Sequence, residues 1–182
     1  GGGRRVGRIA NQLDRWKPDI VVLSEFRDTP ASRWLAGHLR EGNLSFQLTS
    51  ASEALRARNG LLIASRWPLE RVNIRSHPQP RQRCLMAYVM SPKPIAVVAV
   101  HGPLGGSGLR RLFNERLLSI VKRWKQFPGL VIGDTNTGKR GIDEESPVFS
   151  QYDDNWMDAL TTAGWPDAFR HLYPKKRAYT WY

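Results

Sequence analysis

A series of short apolar runs, each of strand length and each cut off by polar or turn-forming residues, constrains the fold of this chain more than any other feature. Asp19–Ser24 is β-branched and almost continuously apolar, and Gly129–Gly133 has the same character. Such runs suit strands covered on both faces. Between them Leu44–Thr49, Gly60–Ser65, Arg71–Ser76, Cys84–Met90 and Ile95–His101 are separated by proline, glycine and polar clusters. Their recurrence at intervals of roughly ten residues predicts antiparallel strands in a layered sheet structure. None approaches the ~20 apolar residues that a membrane-spanning helix needs.

Helical spacing flanks this strand-rich middle. Val6, Ile9, Ala10, Leu13 and Trp16 recur on one helical face, with Arg, Asn and Asp between them. Lys17-Pro18 predicts the end of that helix, because proline disfavours helical geometry in the residue before it. Thr29-Pro30 offers a capping hydroxyl and a proline at the first helical position of a second helix, which runs to Leu39. Ser107 is the expected cap of a long helix whose apolar stripe is Leu109, Leu112, Phe113, Leu117, Ile120, Val121 and Trp124. Its other face carries Arg110, Arg111, Arg116, Lys122, Arg123 and Lys125. A short helix over Asn155–Ala163 and a strand-like run over Ala178–Tyr182 close the chain. Two helix–strand units around a strand-rich middle predict sheets packed face to face with helices outside. No repeat or linker divides the 182 residues, which are expected to form one domain.

Charge narrows the partner without choosing it. Lys and Arg total 28 against 16 Asp and Glu, a net charge of +12. The excess is mostly arginine, whose planar fork suits bidentate contact with phosphate. Such a surface draws polyanions by its long-range field and by counterion release. Anionic membranes and acidic proteins answer the same attraction. The single cysteine, Cys84, excludes an internal disulfide and any Cys-based zinc site. Its apolar setting predicts a buried packing residue, and the compartment stays open with a lean to the reducing cytosol.

Three of the strand-like runs end in residues suited to a metal–phosphate site. The first ends Leu23-Ser24-Glu25. Magnesium prefers oxygen ligands and often takes only one or two protein carboxylates, although a glutamate at a strand end is ordinarily just solvated. The second ends Val100-His101-Gly102-Pro103. A histidine there suits acid–base work or a hydrogen bond to phosphate, and equally a turn at the surface. The third is Val131-Ile132-Gly133-Asp134-Thr135-Asn136-Thr137-Gly138. Asp134 can act as a base toward water or join a metal, and Asn136 can donate to a phosphate oxygen; an Asx turn uses the same residue types. His38, His77 and His171 have no comparable setting and are read as structural. The order strand–Glu, strand–His, strand–Asp-x-Asn is what separates the functional reading from the bland one.

These residues resemble the endonuclease/exonuclease/phosphatase superfamily, which includes pancreatic deoxyribonuclease and abasic-site endonucleases of the exonuclease III type. Pro18–Glu25 resembles the family's metal–glutamate motif, and Asn59–Leu69 its middle strand and turn. Val98–His101 resembles the strand that ends in the active-site histidine of the deoxyribonuclease branch. Gly133-Asp134-Thr135-Asn136 resembles the Gly-Asp-Phe-Asn signature, with threonine in place of the aromatic. Asp167–Arg170 through Tyr179-Thr180-Trp181 resembles a segment near the end of the abasic-endonuclease branch.

The resemblance implies an α/β (α+β) four-layer sandwich, two packed mixed β-sheets flanked by helices. It implies Mg²⁺, with Mn²⁺ as a substitute, bound by Glu25. It further implies that His101 contacts the scissile phosphate, that Asp134 and Asn136 orient nucleophile and phosphate, and that Arg27 contacts nucleic acid. Family members carry an asparagine on a first strand and a terminal Asp-His pair, and neither lies within these residues. The chain is therefore expected to be a fragment, incomplete at both termini. Gly1-Gly2-Gly3 is read as the turn after that first strand, ahead of a phosphate-binding nest or a cloning scar. The expected activity is metal-dependent phosphodiester hydrolysis by a monomer, with nucleic acid, DNA first, as substrate. Exposed aromatics such as Trp67 suit that substrate. A phosphatase or phospholipase acting on an inositol phosphate or sphingomyelin-like head group is the alternative, and a non-catalytic nucleic-acid-binding member is the second.

Overall fold

The computed structural model describes residues 2–55, 58–104, 108–124 and 126–179. Contacts gather the chain into two compact units, Gly1–His101 with Gln126–Asp134, and Gly102–Lys125 with Thr135–Tyr182.

The first unit contains two helices, α1 (Gly2–Trp16) and α2 (Pro30–Glu41), and two sheets. Its strands are β1 (Ile20–Phe26), β2 (Phe46–Thr49), β3 (Gly60–Ser65), β4 (Leu69–Arg71), β5 (Cys84–Val89), β6 (Ile95–His101) and β7 (Gly129–Asp134). One sheet has the order β1-β3-β2 and is antiparallel throughout. The other has the order β4-β5-β6-β7, antiparallel except for the parallel β6–β7 pair.

β3 explains how these layers hold together. Every residue of the strand is buried, and side chains alternate between the two faces of a strand. Leu62 and Ala64 join Val21, Phe26, Ala10, Leu35 and Leu39 in a core between helices and sheet. Leu61 and Ile63 join Leu85, Ala87, Val89, Val97 and Ala99 in a core between the two sheets. Apolar residues at successive positions are what a strand between two cores requires. The expected packing of sheet on sheet with helices outside is the one observed in this unit.

Local signals set the element ends. Thr29 Oγ1 accepts the Ser32 N–H, so α2 begins as its capping hydroxyl and Pro30 predict. Lys17 takes a positive φ of 46° directly before Pro18, and α1 stops there. Gly2 and Gly3 belong to the first turn of α1 and form no separate turn. Ser107, Lys125 and Thr180–Tyr182 lie outside the described residues.

Several expectations shift for reasons of packing. Trp16 completes the apolar stripe of α1 in sequence but is 69% exposed, while Val6, Ile9 and Leu13 of the same stripe pack against the helix–sheet core. The run Arg71–Ser76 yields a strand earlier, at Leu69–Arg71, since Leu69 packs into the inter-sheet core while Asn73, Arg75 and Ser76 have nothing to bury. Leu44 enters the helix–sheet core ahead of β2, which starts at Phe46. β7 is an edge strand and leaves Leu130 and Ile132 exposed, where burial on both faces was expected. Trp67 is half-buried against the inter-sheet core, with the Arg66 guanidinium 5.2 Å from its ring. It is not the exposed aromatic of the sequence reading.

The second unit contains α3 (Gly108–Arg123), α4 (Gln151–Thr162) and α5 (Ala168–Leu172). Phe113, Leu117, Ile120 and Val121 of α3 are buried as expected, but Leu109 and Leu112 are exposed and Asn114 is buried instead. The Trp156 indole N–H donates to Asn114 O at 3.0 Å, and the Trp165 N–H to Val121 O at 3.1 Å. α4 starts four residues before Asn155, because Asp153 accepts the Ser150 N–H and so caps a polar first turn. The loop between Lys139 and Ser150 is ordered by the Glu144 carboxylate, which accepts N–H groups from Gly141, Val148 and Phe149. Those bonds hold its pKa below the usual carboxylate value. Ala178 donates to Ile142 O and belongs to no strand.

Burial pushes the Cys84 thiol up to about 12, so the thiolate that would react is withheld. The backbone sets a sharper constraint at Gly133, which has φ +135° and where a Cβ would lie 2.0 Å from Val100 O. Gly133→Ala is expected to cost roughly 3 kcal/mol or more, from both the unfavourable φ and the clash. Urea denaturation followed by circular dichroism measures it, with Gly141→Ala, where φ is also positive (+76°) but nothing lies within 4 Å of the added carbon, as the comparison for the φ contribution alone.

Candidate active site

Register puts the first two residues side by side. His101 and Asp134 are partners at the C-terminal ends of the parallel pair β6 and β7. His101 Nε2 is 3.9 Å from Asp134 Oδ2, beyond hydrogen-bond distance but within easy reach of the carboxylate's charge. The imidazole is buried, and the Asp134 side chain is about half exposed at 52%. Among the described residues His101 Nδ1 is buried without a hydrogen-bond partner.

Glu25 reaches the same neighbourhood from the other sheet. β1 lies against β6 and β7, and its pairing with β3 breaks between Ser24 and Phe26 in a one-residue bulge. Glu25 is that extra residue and takes φ +57°, a left-handed conformation that non-glycine residues seldom adopt. Its carboxylate is exposed, and Oε1 accepts from Asn59 Nδ2 at 3.1 Å. Asn59 Oδ1 in turn accepts Arg27 Nε at 2.5 Å. One amide thus orients both the carboxylate and the guanidinium.

The second unit holds Asn136, which has φ +49° and donates from Nδ2 to Gly102 O at 2.8 Å. Its own carbonyl accepts from Arg110 Nη1 at 3.0 Å, and Arg110 pairs with the buried Asp153 at 3.1 Å. Arg110 therefore supports the loop of Asn136 and leaves the basic helical face on which the sequence reading had set it.

The sequence model of the Endonuclease/Exonuclease/phosphatase family matches residues 1–179. The chain belongs to this family. An exodeoxyribonuclease of Bacillus subtilis (strain 168) is 31% identical over 102 residues, 48% of this chain and 40% of that enzyme. The match thus spans less than half the length of that relative. A 3'-5' exonuclease from Neisseria meningitidis superposes with a TM-score of 0.72 at 21% identity, covering 98% of this chain and 73% of that one. A variant of beta toxin from Staphylococcus aureus, with bound magnesium ions, superposes with a TM-score of 0.60 at 15% identity, covering 88% and 63% of the respective chains. At these identities the superpositions establish the fold, which is the family sandwich.

Of the residues singled out in sequence, Glu25, His101 and Asp134 are grouped in the first unit of this family fold, with Arg27 tied to Glu25 through Asn59. Asn59 and Arg83 were missed. Asn59 precedes Gly60, and an Asn-Gly pair reads as a turn; Arg83 is one of many arginines. Arg83 ends the tight turn Arg81–Arg83 directly before β5, and its Nη1 lies 3.5 Å from His101 O.

Among the described residues no three His, Cys, Asp or Glu side chains cluster as a metal-binding set. A magnesium ion needs no such cluster, since one carboxylate with water and phosphate oxygens suffices. The exposed, amide-oriented Glu25 fits that requirement.

Electrostatics set the state of His101. Burial lowers its pKa below the ordinary value, and the Arg83 charge lowers it further, against the opposing pull of Asp134 and Glu25. The imidazole is thus neutral at neutral pH. Replacing Arg83 removes a like charge, so Arg83→Met is expected to raise the His101 pKa. Titration of the histidine Cε1 proton by NMR measures the shift, and an unmoved or lowered value would refute this electrostatic account.

Proposed function

We propose that the protein carrying this chain hydrolyses phosphodiester bonds of nucleic acid, DNA first, with a divalent metal ion. One observation carries the reading: Asp134 stands 3.9 Å from the buried His101 imidazole, and β1, which bears Glu25, lies against the two strands that carry them. The net charge of +12 supports a polyanionic substrate, and the resemblance to nucleases supports the reaction class.

The chemistry assigns one role to each group. Asp134 takes a proton from water as the water oxygen bonds to phosphorus, and the bond to the leaving oxygen breaks in line. The leaving oxygen takes a proton from solvent, so the products are a phosphomonoester and an alcohol. His101, neutral and held by its strand, donates an N–H to a non-bridging phosphate oxygen. Asn136 is assigned a second such donor from its place two residues after Asp134, and Arg27 a contact to the strand backbone. Mg²⁺, or Mn²⁺ in its place, held by Glu25 would neutralise charge developing on the phosphate.

Nicking of supercoiled plasmid tests this reading. The protein is expected to nick in Mg²⁺, to stop in EDTA, and to lose at least ~10²-fold in rate as Asp134→Ala or His101→Ala. DNA binding without metal-dependent cleavage of any phosphoester would refute catalysis. Release of phosphate or phosphocholine without nicking would refute the nucleic-acid substrate and keep the hydrolase.

A further inference from the structure

Glu25 and Arg27 carry opposite charges two residues apart, are both exposed, and do not pair. Among the described residues the Arg27 side chain makes one hydrogen bond, from Nε to Asn59 Oδ1, and no ion pair. The Glu25 carboxylate likewise accepts one, from Asn59 Nδ2 at 3.1 Å, and has no ion pair. Exposed carboxylates elsewhere take a guanidinium directly, Asp19 from Arg66 and Glu115 from Arg111, each at 2.8 Å. Between Glu25 and Arg27 stands a carboxamide, a neutral group whose acceptor and donors sit on separate atoms. Its oxygen meets the cation and its nitrogen meets the anion. No carboxylate, ammonium or guanidinium could serve both neighbours at once.

Backbone pairing sets the amide at this place. Phe26 is paired with Gly60 in the antiparallel β1–β3 ladder, so the next step outward brings Asn59 beside Arg27. Gly60 packs so closely on Ala51 that an added Cβ would meet its nitrogen at 2.8 Å, which anchors the residue before it. We propose that Asn59 is a positioning residue that works as a spacer, keeping Arg27 from closing onto Glu25. The carboxylate is thereby left open to a metal ion, and the Nη groups of Arg27 to an anion. The inference rests on the proposed metal role of Glu25 and deepens it. A carboxylate that holds a guanidinium is a poor metal ligand, because the metal must first displace a charge-assisted hydrogen bond. Exposed ion pairs are weak, so the competition is expected to be a matter of a few-fold.

Binding of Mn²⁺ alone, with the free ion read by electron paramagnetic resonance, tests the proposal without any turnover. Wild type, Asn59→Ala, Arg27→Met and the double variant form a cycle. Asn59→Leu is carried alongside, so that the result does not hang on the folding of one variant. Asn59→Ala is expected to weaken Mn²⁺ binding roughly tenfold, as loss of a group that orients a metal ligand does. In the Arg27→Met background the same substitution is expected to cost less than about threefold, because the competing cation is gone. A residue that only shapes the start of β3 would cost the same in both backgrounds. A crystal structure of Asn59→Ala is expected to place an Arg27 guanidinium nitrogen within about 4 Å of the Glu25 carboxylate. Equal costs in the two backgrounds, no cost in either, or a guanidinium that stays apart from the carboxylate would overturn the spacer. Glu25→Gln that binds Mn²⁺ as tightly as wild type would overturn the metal role of Glu25, and the crystal structure would still decide whether Asn59 holds the two charges apart.

Discussion

The first unit depends on one strand having two apolar faces. β3 pairs with β1 on one side and β2 on the other, while its alternate side chains fill separate cores. Neither core survives without it. Leu62 and Ala64 anchor the helices to the sheet, and Leu61 and Ile63 anchor one sheet to the other. A register slip of one residue would exchange the two sets, so both cores enforce the same pairing. The Glu25 bulge is defined against this fixed partner: Ser24 faces Leu61, Phe26 faces Gly60, and the glutamate between them is displaced from the ladder.

From that frame the grouping of ionisable residues follows with little freedom. His101 and Asp134 are neighbours because β6 and β7 are parallel and in register. Glu25 joins them because β1 lies against the same two strands. The cost of this arrangement is a left-handed backbone at Glu25 and, among the described residues, an imidazole nitrogen of His101 buried without a partner. Strain and unsatisfied polar groups of this kind gather where structure serves chemistry. The hydrogen bonds of Asn59 and the charge of Arg83 then tune what the backbone has set.

The sequence was most legible where one residue type meets one physical demand. β3 and β6 were bounded to the residue, because runs apolar on both faces have one interpretation and turn formers mark where they stop. The cap of α2 was legible from Thr29 and Pro30 for the same reason. Legibility failed where meaning depends on a distant partner. Leu130 and Ile132 look buried until the order of strands makes β7 an edge. Arg110 looks like part of a basic face, yet its partner Asp153 lies 43 residues away. The bulge at Glu25 leaves no trace in its own sequence, since it belongs to the pairing with β3. Asn59 and Arg83 carry no signal at all until the ends of β1, β3, β5 and β6 are known to adjoin.

Gly133 and Asp134 stand next to each other in one short signature, but different forces hold them there. The glycine answers to the carbonyl of Val100, which leaves no room for a side chain. The aspartate is about half exposed and stands 3.9 Å from the buried His101 imidazole, so charge is what it brings to its position. If Asp134 serves the proposed reaction, a lineage that gave up that reaction would lose this demand on the second position while still bound at the first. On the proposed reading, a kept glycine beside a lost aspartate in a related chain would mark a scaffold retained without the reaction, and the pair would serve as a two-letter record of which of the two was under selection.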